Sequence, residues 1–312
     1  MKNVIKVENL TKNYGERVAV NNISFNIKHG ETVGFLGPNG AGKSTTMRML
    51  TGFMMPTQGE VWVADLNMTQ YPMETKKKIG YLPEIVPLYT DMTTRRYLEF
   101  AGKIRGLSKQ SLSQRIEEVV TTCALEEYFN VILAKLSKGY RQRVGLAQAI
   151  IHNPEVLILD EPTIGIDPNQ VAQTRQLIKE LGKNRTILIS SHILSEISMI
   201  CDSVIIIQQG KIVAQDRLDQ LSSKIVKKDR LRLSITGPKQ EIIDCLKKVT
   251  MIESVLYEDP FYLVEFPLGR EPQTEIVSKI VENNWQLKTM EKVDTSLEDV
   301  FLQLTSNERK EM

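Results

Sequence analysis

The 312-residue sequence predicts an α/β domain with an inserted helical subdomain, followed by a small α+β domain. Two apolar runs, VLILDEP (156–162) and ILISSH (187–192), have the length and composition of buried strands. Helical periodicity fills the long stretch before the first run. After about Lys224 the pattern changes to half-exposed strands and short helices. We therefore expect a large domain over residues 1–224 and a smaller domain over residues 225–312.

Composition and charge are ordinary for a globular protein, with 41% hydrophobic and 25% charged residues. A net charge of +2 gives no argument for nucleic acid or an anionic membrane as a partner. Cys123, Cys201 and Cys245 are scattered without a metal or disulfide pattern, as expected in a reducing cytosol. We expect neither a signal peptide, since MKNVIKVENL (1–10) has no apolar signal region, nor a membrane span, since no apolar run approaches the ~20 residues that a span needs.

The segment GPNGAGKST (37–45) matches the phosphate-binding pattern G-x-x-x-x-G-K-[ST] in full. The preceding GETVGFL reads as a strand and the following TTMRMLTGF as a helix, which is the context that this motif requires. Backbone N–H groups of the loop are expected to surround phosphate oxygens, with the Lys43 charge on the β and γ phosphates. The Ser44 hydroxyl is expected to bind Mg²⁺. The predicted nucleotide-binding residues here are Gly37, Pro38, Asn39, Gly40, Ala41, Gly42, Lys43, Ser44 and Thr45.

Two acidic residues end the apolar run Val156–Leu159. Asp160 is expected at the carboxyl end of this strand, where open α/β sheets bind ligands, and its carboxylate can hold the Mg²⁺ shell. Glu161 comes next and is predicted to act as a general base or to position the attacking water. The alternative for Glu161 is an acidic residue that only starts a helix.

The stretch between Lys43 and Asp160 is longer than a minimal nucleotide-binding fold needs, which predicts a helical subdomain over about residues 85–153. Its closing segment, LSKGYRQRVGLAQAI (136–150), has Ser137 at an N-cap position and Gly139 two residues later. Such a helix start is a second candidate anion site in the same chain.

These motifs and their order resemble the ATP-binding cassette of ABC transporters over roughly residues 3–222. The family's LSGGQ signature appears here as LSKGY (136–140), with Lys138 and Tyr140 departing from the common form. The resemblance implies that Ser137 and Gly139 bind the γ-phosphate held on another cassette's P-loop. Two cassettes would then enclose two ATP molecules head to tail, which explains the second anion site.

The resemblance also implies roles for four further residues. Tyr14 would stack on adenine, Asp167 would cross between the cassettes, and His192 at a strand end would contact the γ-phosphate. Glu84 stands where the family usually has glutamine, at the position that reaches Mg²⁺ and couples to the membrane subunit. A carboxylate can still bind a hard cation through oxygen, but it lacks the amide donor.

The C-terminal region predicts the order β-α-β-β-α-β-α of a ferredoxin-like domain without a catalytic constellation. Its last helix would start at a capping box formed by Ser296 and Asp299. The tail SLEDVF resembles that of drug-exporter cassettes. GYLPE and LSKGYRQR resemble cassettes of gliding-motility and nitrous-oxide-reductase accessory exporters.

The resemblance implies the ATPase subunit of an exporter, which uses ATP and Mg²⁺ to drive a separate integral membrane permease. It also implies a second cassette, expected to be another copy of this chain, and a place at the cytoplasmic face of the membrane. The alternatives are a soluble ABC ATPase acting on ribosomes or nucleic acid, and a non-hydrolysing regulatory ATP sensor. A single P-loop, no sustained heptads and no basic tract with aromatics argue against the first. The presence of Glu161 and His192 argues against the second.

Overall fold

The computed structural model describes residues 2–220 and 228–293. The chain divides into two compact units between Leu218 and Asp219, somewhat before the expected boundary after residue 224. The predicted helix over residues 294–305, with its capping box at Ser296 and Asp299, lies outside the described residues.

An antiparallel sheet begins the first unit, with the strand order β2-β1-β4-β5. Its strands are β1 (Asn3–Tyr14), β2 (Arg17–Lys28), β4 (Gln58–Val63) and β5 (Leu66–Asn67). Alternate side chains of β1 and β2 are buried, as expected for a sheet with one covered face. The hairpin turn between β1 and β2 leaves Tyr14 at the end of β1, in the early hairpin that the sequence predicts.

A second, six-stranded sheet carries the predicted nucleotide motifs, in the order β10-β9-β3-β8-β7-β6. Its strands are β3 (Thr32–Leu36), β6 (Ile79–Leu82), β7 (Val156–Asp160), β8 (Thr186–Ser191), β9 (Ser203–Gln208) and β10 (Lys211–Arg217). All neighbours pair in parallel except β9 and β10. The carboxyl ends of β3, β7 and β8 therefore meet at one edge, which brings the loop after β3 close to Asp160 and His192.

The helices of the first unit are α1 (Lys43–Leu50), α2 (Pro72–Lys77), α3 (Thr94–Ile104), α4 (Lys109–Thr122), α5 (Lys138–Ile150), α6 (Pro168–Gly182) and α7 (Leu194–Ile200). Helices α3 to α5 lie between β6 and β7 and form the predicted helical insertion, with 3₁₀ turns at Glu126–Tyr128 and Leu133–Lys135. Ser137 caps α5 as predicted, since its hydroxyl accepts the Tyr140 N–H. A core of apolar side chains from both sheets and α1 holds these layers together.

The second unit contains β11 (Lys228–Thr236), α8 (Lys239–Leu246), β12 (Ser254–Glu258), β13 (Phe261–Pro267), α9 (Gln273–Glu282) and β14 (Gln286–Val293). The strands pair antiparallel in the order β12-β13-β11-β14. Apolar side chains of α8 and α9 pack against the buried residues of this sheet. The β-α-β-β-α-β order confirms the ferredoxin-like prediction for the described part of this unit.

Candidate functional site

The loop between β3 and α1 depends on its glycines. Gly40 and Gly42 have positive φ angles of 80° and 111°. A Cβ atom at Gly37 would fall 2.3 Å from the Ile207 carbonyl oxygen, and one at Gly42 would fall 2.7 Å from the Ala19 carbonyl oxygen. No side chain caps α1 at Gly42, so the first N–H groups of this helix are available to an anion.

A cavity of about 470 Å³ lies against this loop, within the usual size range of ligand sites. Among the described residues it is lined by Tyr14, Arg17, Ala19, Asn39, Gly40, Gly42, Lys43, Ser44, Thr45, Glu84, Glu161 and Ile164. Nine of these twelve are residues that the sequence singled out. Sequence reasoning missed Arg17, Ala19 and Ile164; the position of Arg17, a cation just after the Tyr14 hairpin, was an available signal.

Lys43 is buried, and its ammonium group is held by the loop itself. It donates to the carbonyl oxygens of Gly37 at 2.8 Å and Pro38 at 3.3 Å, and it lies 3.3 Å from Glu161 Oε1. Ala41, also buried, bonds its N–H to the Pro38 carbonyl. The loop therefore presents a fixed positive charge, which attracts phosphate more strongly than an exposed lysine would.

Ser44 and Asp160 form a pair of oxygen ligands beside the cavity. The Ser44 hydroxyl donates to Asp160 Oδ1 at 3.2 Å, and Asp160 is only 1% exposed. Burial raises the pKa of Asp160, as does the charge of Glu84, while hydrogen bonds from Ser190 and Ser44 oppose this shift. A hydroxyl, a carboxylate and the nearby Glu84 carboxylate are the hard oxygen donors that Mg²⁺ prefers, so the donor set fits this cation.

The Glu161 carboxylate lies between a cation and an imidazole. Its Oε1 faces Lys43 Nζ, and its Oε2 lies 3.0 Å from His192 Nδ1. Glu161 has a φ of 49°, an uncommon left-handed conformation for a residue with a side chain. This backbone turn directs the carboxylate toward the cavity, where it can orient a water molecule or accept a proton from it.

Tyr14 and Glu84 lie at the rim of the cavity. The Tyr14 ring is 46% exposed, and its hydroxyl contacts Met54 Sδ at 3.1 Å. Lys12 Nζ lies 5.7 Å from the centre of this ring. Glu84 is exposed on the loop after β6. An exposed aromatic ring beside a phosphate-binding loop suits stacking with a nucleobase.

Ser137, Gly139 and Asp167 do not line this cavity in the part of the chain that the structure describes. Ser137 is exposed, whereas Gly139 is buried against Gln170, whose Oε1 would lie 1.4 Å from a Cβ atom at Gly139. Asp167 caps α6 by accepting the Gln170 N–H at 3.0 Å. The start of α5 is thus packed against the start of α6 rather than against the chain's own P-loop.

Tyr140 turns into the helical subdomain. Its ring lies 3.9 Å, centre to centre, from the ring of Tyr128, and the Arg143 guanidinium lies 5.3 Å from it on the same helix. Arg143 in turn donates to Gln173 of α6. The tyrosine therefore contributes packing between three segments, where the family's glutamine would offer an amide.

Comparison with known proteins agrees with this geometry. Residues 20–164 match the family model described as ABC transporter. The bacitracin transport ATP-binding protein BcrA of Bacillus licheniformis is 35% identical over 306 residues, covering 97% of this chain and 98% of that protein. The linearmycin resistance ATP-binding protein LnrL of Bacillus subtilis is 30% identical over 307 residues, with coverage of 97% and 98%.

Solved structures show the same similarity. An ATP-binding subunit of an ABC transporter superposes with a TM-score of 0.65 at 30% identity, covering 71% of this chain and 92% of that chain. A dimeric ATP-binding cassette in a post-hydrolysis state with ADP and Pi gives a TM-score of 0.63 at 27% identity, covering 69% of this chain and 98% of that chain.

Among the described residues no helix is long and apolar enough to span a bilayer. Subunits of this family pair with a membrane permease and form cassette dimers. The phosphate-binding loop, the acidic strand end and the full-length similarity lead to one assignment. The chain belongs to the ABC transporter ATP-binding proteins and is an ATPase that uses ATP and Mg²⁺.

Proposed function

We propose that the chain is the ATPase of an exporter, in which two copies close head to tail over two ATP molecules and drive a separate integral membrane permease. The observation that carries this proposal is the buried Glu161 carboxylate, held between Lys43 and His192 beside the nucleotide cavity. Because every motif of a working site is present in this one chain, a second copy can supply everything that the partner cassette needs.

Each site residue then has a defined task. Glu161 orients or deprotonates the attacking water, and His192 fixes that carboxylate and reaches the γ-phosphate. Ser44, Asp160 and Glu84 bind Mg²⁺, and Tyr14 stacks on adenine. The backbone of the P-loop and Lys43 hold the phosphates.

The head-to-tail arrangement explains why the second anion site is separate from the nucleotide cavity. Ser137 is exposed at the start of a 13-residue helix, and it does not line the chain's own cavity within the described residues. Ser137 is the exposed group at this helix N-terminus, where the helix dipole favours an anion brought by another chain. Ser137 and Gly139 would bind the γ-phosphate on the partner's P-loop, with Asp167 beside them at the crossing point.

Export is the direction suggested by the relatives' names. One is a linearmycin resistance protein, and the Nod factor export ATP-binding protein I of Ralstonia nicotianae is 34% identical over 70% of this chain.

The proposal places the protein at the cytoplasmic face of the membrane, bound through its permease and without nucleic acid as a partner. A strain lacking the gene should accumulate the cargo, and the wild-type gene should reverse this whereas Glu161→Gln should not. Equal accumulation in all strains would contradict export.

A groove between the sheets and the helical subdomain is the proposed docking site of the permease. It holds about 400 Å³ and exposes large apolar side chains: Phe53 is 74% exposed, Met73 66% and Ile104 68%. Lys76, Lys77 and Arg105 also line it. Exposed apolar patches with a charged rim mark interaction sites. This chemistry fits a cytoplasmic helix of the permease that carries apolar and acidic side chains.

Photocrosslinking tests this docking site. A photoreactive amino acid at Ile104 should crosslink in membranes to a cytoplasmic loop of a protein with several membrane spans. Val281, an exposed apolar residue of the second unit at 67% exposure, is the matched control and should not give this product. Equal products at both positions, or none at Ile104, would remove the groove from the interface.

A further inference from the structure

A buried serine lies between the two acidic residues of the site. Ser190 on β8 is fully buried, and it pairs in register with Asp160 on the parallel strand β7. Its hydroxyl donates to Asp160 Oδ1 at 2.6 Å and accepts the Glu161 N–H at 2.9 Å. One side chain thus contacts the carboxylate of one acid and the backbone of the other.

The chemistry of a hydroxyl suits this double contact. A serine hydroxyl has one donor and two acceptor positions, so it satisfies both partners at once. The Asp160 carboxylate accepts hydrogen bonds from Ser190 and Ser44 among the described residues, and both end on Oδ1. The rotation of the carboxylate is therefore fixed, and Oδ2 is left for other ligands.

The contact with Glu161 supports an uncommon backbone conformation. The φ of 49° at Glu161 turns its carboxylate toward Lys43 and His192. Such a conformation persists only where neighbouring groups hold it. The hydrogen bond from the Glu161 N–H to Ser190 Oγ ties this turn to strand β8. Losing it would leave a buried N–H donor without its partner.

We propose that Ser190 is a positioning residue for ATP hydrolysis, which fixes the Asp160 carboxylate for Mg²⁺ and the Glu161 backbone for water activation through a single hydroxyl. The proposal rests on the roles of Asp160 and Glu161 given above. Loss of the hydroxyl should weaken metal binding and slow turnover together, while nucleotide binding without metal is unchanged. Groups that orient metal ligands typically affect metal affinity or activity by roughly 10- to 100-fold.

The chain offers a matched control in the next residue. Ser191 is also buried, but its hydroxyl accepts the Ile193 N–H at 3.0 Å, and within the described residues it bonds to neither acid. We would compare wild type with Ser190→Ala, Ser191→Ala and Asp160→Asn. Ser190→Cys nearly keeps the side-chain volume but has only a weak donor, and it replaces Ser190→Ala if that variant does not fold.

Four measurements are made on each full-length variant. Electron paramagnetic resonance of Mn²⁺ in the presence of ADP gives the metal affinity, independently of turnover. Fluorescent ADP binding in EDTA reports on the P-loop, and thermal unfolding reports on the fold. Phosphate release with Mg²⁺ and ATP gives kcat and KM.

Ser190→Ala should weaken Mn²⁺ binding by about tenfold or more and lower kcat, while its metal-free ADP binding stays at the wild-type value. Ser191→Ala should match wild type in both metal affinity and kcat. The positioning role of Ser190 would be overturned if the folded Ser190 variant kept wild-type metal affinity and kcat while Asp160→Asn bound Mn²⁺ more weakly. The proposed metal site would then still stand. Wild-type Mn²⁺ binding in Asp160→Asn would instead overturn the proposed metal site. The two failures are therefore distinguishable.

Discussion

Replacing Glu161 with glutamine keeps the shape of the side chain and removes its negative charge. The oxygen that remains can still accept a hydrogen bond from Lys43 or from His192. Lys43 also retains its bonds to the Gly37 and Pro38 carbonyls, at 2.8 and 3.3 Å. The variant should therefore fold and bind ATP, with the loss confined to the step that needs a base.

The size of this loss follows from the role of the carboxylate. A positioned general base contributes typically about 10²- to 10⁴-fold, which corresponds to roughly 3–5 kcal/mol in the activation free energy. Binding should change much less, because the carboxylate contacts Lys43 and His192 rather than forming the phosphate loop. We therefore expect a fall in kcat of at least about 100-fold with an ATP affinity within about threefold of wild type.

Steady-state phosphate release at saturating ATP and Mg²⁺ measures the first quantity, and titration with a fluorescent ATP analogue measures the second. Glu155→Gln is the matched control, since Glu155 is an exposed acid just before the opposite end of the same strand β7. This control should retain wild-type turnover. Wild-type kcat in Glu161→Gln would remove Glu161 from the chemistry.

Three further predictions concern the metal site, the core and the pH dependence. Glu84→Gln keeps one oxygen beside the cavity and should shift the Mg²⁺ half-saturation of ATPase activity slightly, while Glu84→Ala should shift it more; identical titrations would place Glu84 outside the metal site. Leu98→Ala removes a fully buried side chain of α3 and should lower the urea-derived free energy of unfolding by about 2–5 kcal/mol, against about 0.5 kcal/mol or less for the exposed Ile104→Ala; equal losses would contradict this packing. Burial and the Arg105 charge lower the pKa of His152 from 6.5 to about 4, so the folded state binds a proton less readily than the unfolded state. The stability contributed by neutral His152 is present above pH 6.5 and is lost as the pH falls toward 4. The Tm of His152→Gln should therefore fall less than the wild-type Tm between pH 6.5 and pH 4. Equal falls in Tm for the two proteins would refute this prediction.

Local patterns were sufficient for the framework of the site. Short apolar runs predicted the strands β7 and β8, because parallel strands buried on both faces have few polar residues. The N-cap at Ser137 was predicted from residue types alone and is confirmed. These features depend on neighbours in sequence, which is why they can be read without the fold.

Contacts between distant segments could not be predicted in the same way. The Ser190 bridge depends on the register between β7 and β8, and the left-handed Glu161 becomes visible only as a backbone angle. Tyr140 was noted only as a departure from the family's signature, and its ring packs on Tyr128 from another segment. The spacing of residues in the sequence does not specify such a ring contact, because tertiary packing brings the two segments together.

The sharing of each ATP by two chains would be tested most directly by mixing two defective variants. In a Glu161→Gln background, ATP hydrolysis should be slow enough for the ATP-dependent dimer to persist. Ser137→Arg places a bulky side chain at the partner's γ-phosphate, and a hydroxyl bonded to a charged phosphate contributes on the order of 1.5–3 kcal/mol. This variant should bind ATP normally but remain monomeric. Lys43→Ala should fail to bind ATP and also remain monomeric.

A mixture of these two variants can form a dimer with one intact composite site, made from the P-loop of the Ser137→Arg chain and the α5 start of the Lys43→Ala chain. Sizing chromatography with labelled ATP and Mg²⁺ should then show a dimer that carries one ATP, although neither variant dimerises by itself. A mixture that stays monomeric would contradict the shared site. Loss of ATP binding by Ser137→Arg alone would show that Ser137 serves its own chain's nucleotide.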